Sequence, residues 1–254
     1  MYRQGKTLHQ ILVSEATKTQ TLVVAGFGPS LDLIANLLDS QFEIVDHTAW
    51  LLRQQHLSGR NDTEAAVFSA IHKNFFLFYS AITLAKSGLY GPAGTFLRPI
   101  FESLYIAKYC SISKNGLTFN RWNGGEYVHL TNEVFNRIKS SAPPESRLLW
   151  KALNQLSHAT VYAQQVSATY EEIKNEIGIC LSLVQILAVL NDHLLSRHYL
   201  TPQVIRYTRV YADQPAFDTA RNRARQQVAA IRSSLTKDAK RVVREYVSPW
   251  ETKS

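Results

Sequence analysis

The sequence has few of the residues that interrupt or cross-link a chain. Two cysteines, eight prolines and eleven glycines are spread over 254 residues. Two cysteines at this length exclude a disulfide-dense scaffold. Cys110 and Cys180 both stand among apolar neighbours, so two buried free thiols are expected. With 45% hydrophobic and 19% charged residues, a disordered or low-complexity chain is excluded as well. The N-terminal MYRQGKTLHQILVSEATK has no apolar core of signal-peptide length and no small-residue cleavage site. Long unbroken apolar runs are also missing. The longest, IGICLSLVQILAVL at 177–190, lies between Glu176 and Asp192. It is shorter than the about 20 residues that a bilayer core requires. The expectation is a cytoplasmic protein without membrane insertion, with this helix, apolar on nearly every face, at the centre of a bundle.

Strand alternation is absent at any useful length. One segment invites an α/β reading: TLVVAGFGPSLDLIANLLDSQFEIVD, residues 21–46, in which two apolar runs flank a G-x-G and an apparent helix. A dinucleotide site requires a third glycine for close helix–strand packing, and position 31 is Leu. Read as helix, Leu31, Ala35, Leu38, Phe42, Val45, Ala49 and Leu52 recur at alternating spacings of four and three, straight through FEIVD. The segment therefore reads as one long helix capped by Ser30, preceded by a G-x-G turn and a short extended arm at TLVV.

Helical periodicity fills the rest of the chain. Phe68, Ile71, Phe75, Phe78, Ile82 and Ala85 form a stripe that ends at Gly88, a C-terminal cap. A third helix, about 92–112, contains Pro99 and is expected to kink there. A more polar helix between Gly124–Gly125 and Pro143–Pro144 follows, then helices near 145–166, 170–198 and 217–247. The expected fold is all-α, a multi-helix bundle (30–199) with an N-terminal arm (1–29) and a basic C-terminal helical extension (200–254).

Net charge is +8, of which +6 falls in residues 200–254. On the last helix Val228, Ile231, Leu235, Val242 and Tyr246 make an apolar stripe. Arg223, Lys237, Lys240, Arg241 and Arg244 lie opposite, with Arg221, Arg225 and Arg232 beside the stripe. Such a face suits the phosphate backbone of RNA or another nucleic acid. A solvated face or an acidic protein partner is the plainer alternative, and an anionic membrane surface a third.

Two clusters are candidates for chemistry. Arg98 and Glu102 lie four apart on the flank of the arc Phe96, Leu97, Ile100, Phe101 and Leu104. They form either an ordinary surface ion pair or a partly buried polar site. Asn154, His158, Tyr162 and Gln165 follow at helical spacing, with Tyr162 one turn beyond His158 to orient its ring. A histidine of near-neutral pKa can act as acid or base. The sequence has no H-x-x-x-H pair, nucleophile elbow or Gly-rich phosphate loop, so neither a metal nor a cofactor is expected.

Gly88, Ala93, the run L-R-P-I-F-E at 97–102 and, some 55 residues on, Leu156-Ser157-His158 resemble a broad group of uncharacterised bacterial helical proteins. Their pattern is a G...A..L.R...E helix followed by an LS-containing helix with a histidine. That group is in turn similar to HEPN domains, helical bundles that include metal-independent ribonucleases of toxins and phage defence. The HEPN signature, an Arg followed after four to six residues by a His, has its nearest counterpart in Arg121 and His129, with seven residues between. The resemblance implies an RNA-acting protein, possible as a metal-independent endoribonuclease. His158 would then be the acid or base, Arg98 would stabilise charge on the phosphate, and Glu102 would position Arg98. The alternative is a non-catalytic dimeric binding or assembly module in which Arg98, Glu102 and His158 are structural.

Overall fold

A computed structural model of the chain describes residues 7–56, 62–138, 144–157, 170–211 and 213–249. Among these residues the fold is all-α and contains no strand. The helices are α1 (Leu8–His56), α2 (Asp62–Lys86), α3 (Tyr90–Ser113), α4 (Leu117–Asn123), α5 (Pro144–Ser157), α6 (Tyr170–Tyr199), α7 (Pro202–Tyr211), α8 (Gln214–Ser234) and α9 (Lys237–Val247).

The most apolar helix is central, as its composition requires. α6 packs against α1, α2, α3, α8 and α9, and its residues Leu187, Ala188, Val189 and Leu190 are all inaccessible to solvent. A helix can bury consecutive residues only when it has neighbours on every side. α2 and α3 form an antiparallel pair joined by a tight turn at Gly88. There the Leu89 N–H reaches the Leu84 carbonyl and the Gly88 N–H reaches the Ala85 carbonyl. Gly88 has φ +77°, and a Cβ at this position would overlap Cγ2 of Thr19 on α1. Conformation and close approach both demand glycine there.

The four central helices share a chain of buried neutral polar groups. Ser103 Oγ on α3 donates to Asn74 Oδ1 on α2 (2.6 Å), and Asn74 Nδ2 donates to Asn191 Oδ1 on α6 (3.2 Å). Asn191 Nδ2 then donates to Gln41 Oε1 on α1 (3.0 Å), and Gln41 Nε2 to the Ala188 carbonyl (3.1 Å). All four side chains are fully buried. Each polar group left unpaired in such surroundings costs about 1–3 kcal/mol, so the chain of bonds specifies how the four helices must register.

Several expectations need correction. α1 begins at Leu8, so TLVV is helical, the G-x-G is not a turn and Ser30 lies mid-helix. The helix is started by a capping box in which the Gln10 N–H bonds Thr7 Oγ1 and the Thr7 N–H bonds Gln10 Oε1. It runs through Pro29 because Val23, Phe27, Leu31 and Ile34 carry one packing face across the proline. Phe42, expected in the seam, is 42% exposed. No regular helix occupies 126–138, where an extended stretch leads to a π-helical turn (Leu130–Val134) and a 3-10 turn (Phe135–Arg137). The last helix is two helices. Leu235 is extended (φ −63°, ψ 143°), and Thr236 caps α9 by accepting the Ala239 N–H.

The expectation of no membrane insertion also fails. Thr17–Ala49, Thr63–Lys86 and Lys174–Tyr199 are each long and apolar enough to cross a bilayer, with mean hydropathies of 1.5, 1.2 and 1.7. An unbroken apolar run is too strict a requirement. A spanning helix needs only a predominantly apolar one, and isolated Thr, Ser, Asn and Gly do not disqualify it. The three differ in how far the fold covers them: 28%, 50% and 61% of the most apolar stretch is buried. The N-terminal part of α1 is the least covered, with Leu22 and Val24 both over 40% exposed, at 43% and 47%.

Candidate functional site

Arg98 and Glu102 meet on α3. Arg98 Nε donates to Glu102 Oε1 at 2.9 Å, and the two side chains retain 22% and 17% of their accessibility. The other carboxylate oxygen, Oε2, accepts from Trp122 Nε1 of α4 at 3.0 Å. Aromatic rings surround the pair. The Arg98 guanidinium lies 5.1 Å from the Trp150 ring of α5, which stacks on Phe101, and Lys73 of α2 sits 4.3 Å over Trp122. Glu102 thus has a donor on each oxygen, and the pair clasps α2, α3, α4 and α5 together. With both oxygens engaged as acceptors, Glu102 is placed to hold Arg98 in position. His158 and Tyr162 lie outside the described residues.

Arg121 and His129, the nearest counterpart of an Arg–His signature, are tied into local structure. Arg121 Nε bonds Glu126 Oε2 at 2.8 Å and its terminal nitrogen bonds Glu133 Oε2 at 2.7 Å. Glu133 Oε1 accepts the backbone N–H of His129 at 3.0 Å. That backbone donor, followed by Arg121, lowers the Glu133 pKa below the ordinary carboxylate value. The network fastens the start of the π-helical turn to the end of α4.

The C-terminal cations divide into two groups. Arg223 pairs with Glu43 of α1, and Arg241 pairs with Glu145 of α5 (3.7 Å) and with Asp238 (3.3 Å). Lys240 Nζ donates to the Ser233 carbonyl at 3.3 Å. Among the described residues Arg225, Arg232, Lys237, Lys240 and Arg244 are exposed and make no ion pair. Of the five residues singled out from the sequence as a nucleic-acid face, two are thus neutralised by carboxylates. Arg232, placed beside the stripe in sequence, joins Lys240 and Arg244 around one pocket of about 390 Å³. The signal that would have placed it there is Thr236 followed by Ala239, a helix start in the middle of the apparent helix.

A second polar cluster, missed in the sequence, holds the end of α9. Lys108 of α3 is 3% exposed, and its ammonium donates to the carbonyls of Tyr246 and of Ser248, the latter at 2.9 Å. Those are carbonyls that a helix end leaves without intrahelical partners. Burial, with Arg197 nearby, lowers the Lys108 pKa to about 7. The hydroxyl of Tyr246 donates to the Leu104 carbonyl at 2.9 Å. On the other side of α9, Glu245 faces Glu145 and Ser146 of α5, and Ser146 Oγ is 2.6 Å from the Tyr105 hydroxyl. Burial and then the Glu145 carboxyl raise Glu245 to about 7.

Cys110 is buried and its thiol is pushed up to about 11, which leaves it unreactive at neutral pH. Among the described residues no group of three His, Cys, Asp or Glu side chains is placed to hold a metal ion. Comparison of the chain with family models, with curated proteins and with solved structures finds no match in any of the three.

Proposed function

We propose that this chain binds RNA through α8 and α9, by phosphate contact and without base recognition. The observation that supports the reading is the set of exposed cations Arg225, Arg232, Lys237, Lys240 and Arg244, which make no ion pair among the described residues. Cations left unneutralised on a helix face attract a polyanion and release its counterions on binding. The aromatic residues described on these two helices, Phe217 and Tyr246, are buried, so the face offers no row of aromatic rings on which successive bases could stack. Arg98 and Glu102 act in this reading as a structural clasp.

The test is a mobility-shift titration of the purified chain with single-stranded cellular RNA across a salt series, in EDTA. Five phosphate contacts predict a slope of log affinity against log salt of about −3 to −4. Replacing Arg225 and Lys237 together by Gln reduces that slope by about 1.4. Absence of any salt-dependent shift rejects the proposal. Cleavage of the RNA in EDTA that is lost in His158→Ala would replace binding by metal-independent ribonuclease activity as the function.

A further inference from the structure

The break at Leu235–Thr236 turns the chain between α8 and α9 and opens the pocket of about 390 Å³ in the elbow. Arg232 reaches it from α8, Lys240 and Arg244 from α9, over a floor of Leu235, Val243 and Val247. Lys240 and Arg244 are four apart on one helix, where like charges repel. Among the described residues no carboxylate lines the pocket. Glu145 and Asp238 pair with Arg241, and Asp192 of α6 feels the charges of Arg232 and Arg225 without lining the pocket. The elbow thus combines two guanidinium forks, one ammonium and an apolar floor in a space of small-ligand size.

That combination matches a phosphate monoester, a dianion, better than the monoanionic diester of an internal RNA linkage. The apolar floor matches the flat face of an attached base. We propose that the α8–α9 elbow seats the 5′-terminal phosphate of an RNA, together with its first nucleotide. The inference rests on RNA binding by these helices and gives that binding a preferred end. The remaining cations, Arg225 and Lys237, hold the following backbone without preference.

The experiment is a fluorescence-anisotropy titration of the full chain with two short RNA oligonucleotides of one sequence, labelled at the 3′ end. One carries a 5′-phosphate and the other a 5′-hydroxyl. The 5′-phosphate form is expected to bind about tenfold more tightly, the effect of one strong charge-assisted contact set. In the double variant Lys240→Met with Arg244→Met, checked for retained helicity by circular dichroism, the two oligonucleotides bind equally. In Arg225→Gln both affinities fall and their ratio is kept. Adenosine 5′-monophosphate competes with the phosphorylated oligonucleotide, and inorganic phosphate competes less well. Equal affinity of the wild type for both ends overturns the seat and leaves RNA binding standing. No binding of either oligonucleotide overturns both readings. Competition by inorganic phosphate as strong as that by the nucleotide overturns the terminal nucleotide as occupant and makes the elbow a site for free phosphate.

Discussion

Two buried polar regions lie within this bundle, and they stabilise it in opposite ways. At the centre, Gln41, Asn74, Ser103 and Asn191 are neutral, fully buried and bonded to one another. At the end of α9, Lys108, Glu145 and Glu245 are ionisable, and burial has moved Lys108 and Glu245 toward neutrality from opposite directions. Neutral amides satisfy their bonds at any pH. Ionisable groups exchange protons with solvent, so the attachment of α9 depends on pH, whereas the centre meets a single such group among the described residues, Asp192 of α6, which bonds Gln41 and is raised by burial to about 6.

The sharpest way to break the comparison is Asn191→Ala. It strands Gln41 Oε1 and Asn74 Nδ2 and leaves a void, and a loss of about 3–4 kcal/mol is expected. Urea denaturation measured at pH 7.5 and pH 9, both above the Asp192 value of about 6, should give the same loss at both. A loss that changes by more than about 1 kcal/mol between them would mean that a further titrating group acts on the centre.

Lys108→Met tests the other region. The folded pKa of Lys108, about 7, lies below its ordinary 10.5. Between those values the unfolded chain binds more protons, so wild-type stability rises with pH through that window. The two carbonyl acceptors favour the charged form and offset part of the burial, leaving a rise on the order of 2 kcal/mol. In the variant this rise is absent. Equal slopes in the two proteins would remove Lys108 from the account.

Glu245→Gln has the smallest expected effect. The folded pKa is raised from 4.5 to about 7, so its contribution is complete below 4.5 and lost as pH climbs to 7. The side chain is only part-buried, and solvent screening limits the change to under about 1 kcal/mol. The glutamine variant should be flat across that interval. Thermal melts at pH 4.5 and pH 7 provide the check.

The fold class was legible because apolar spacing of three and four persists along most of the chain. The stripe Ile71, Phe75, Phe78, Ile82 and Ala85 is buried as read. Boundaries were less legible where capping chemistry competed with stronger punctuation. Pro29 and the nearby glycines obscured the start at Thr7, and the unbroken stripe from Val228 to Tyr246 obscured the stop at Leu235. The Arg98–Glu102 pair was visible from its spacing, but its tryptophan partners come from α4 and α5, which no local pattern could bring to α3. Long-range polar pairs such as Gln41 with Asn191 carry no local signature at all.

That last pair also sets a timetable for the chain as it is made. Gln41 and Asn191 are 150 residues apart. A ribosome adding about 5–20 residues per second needs roughly 10–30 s to deliver the second after the first. Until α6 arrives, Gln41 and Asn74 are without their Asn191 partner, and only then can the centre close. A contact of such long sequence separation closes later than the local contacts of a helical bundle. Newly made chains are exposed to chaperones, or to a bilayer surface, for that interval.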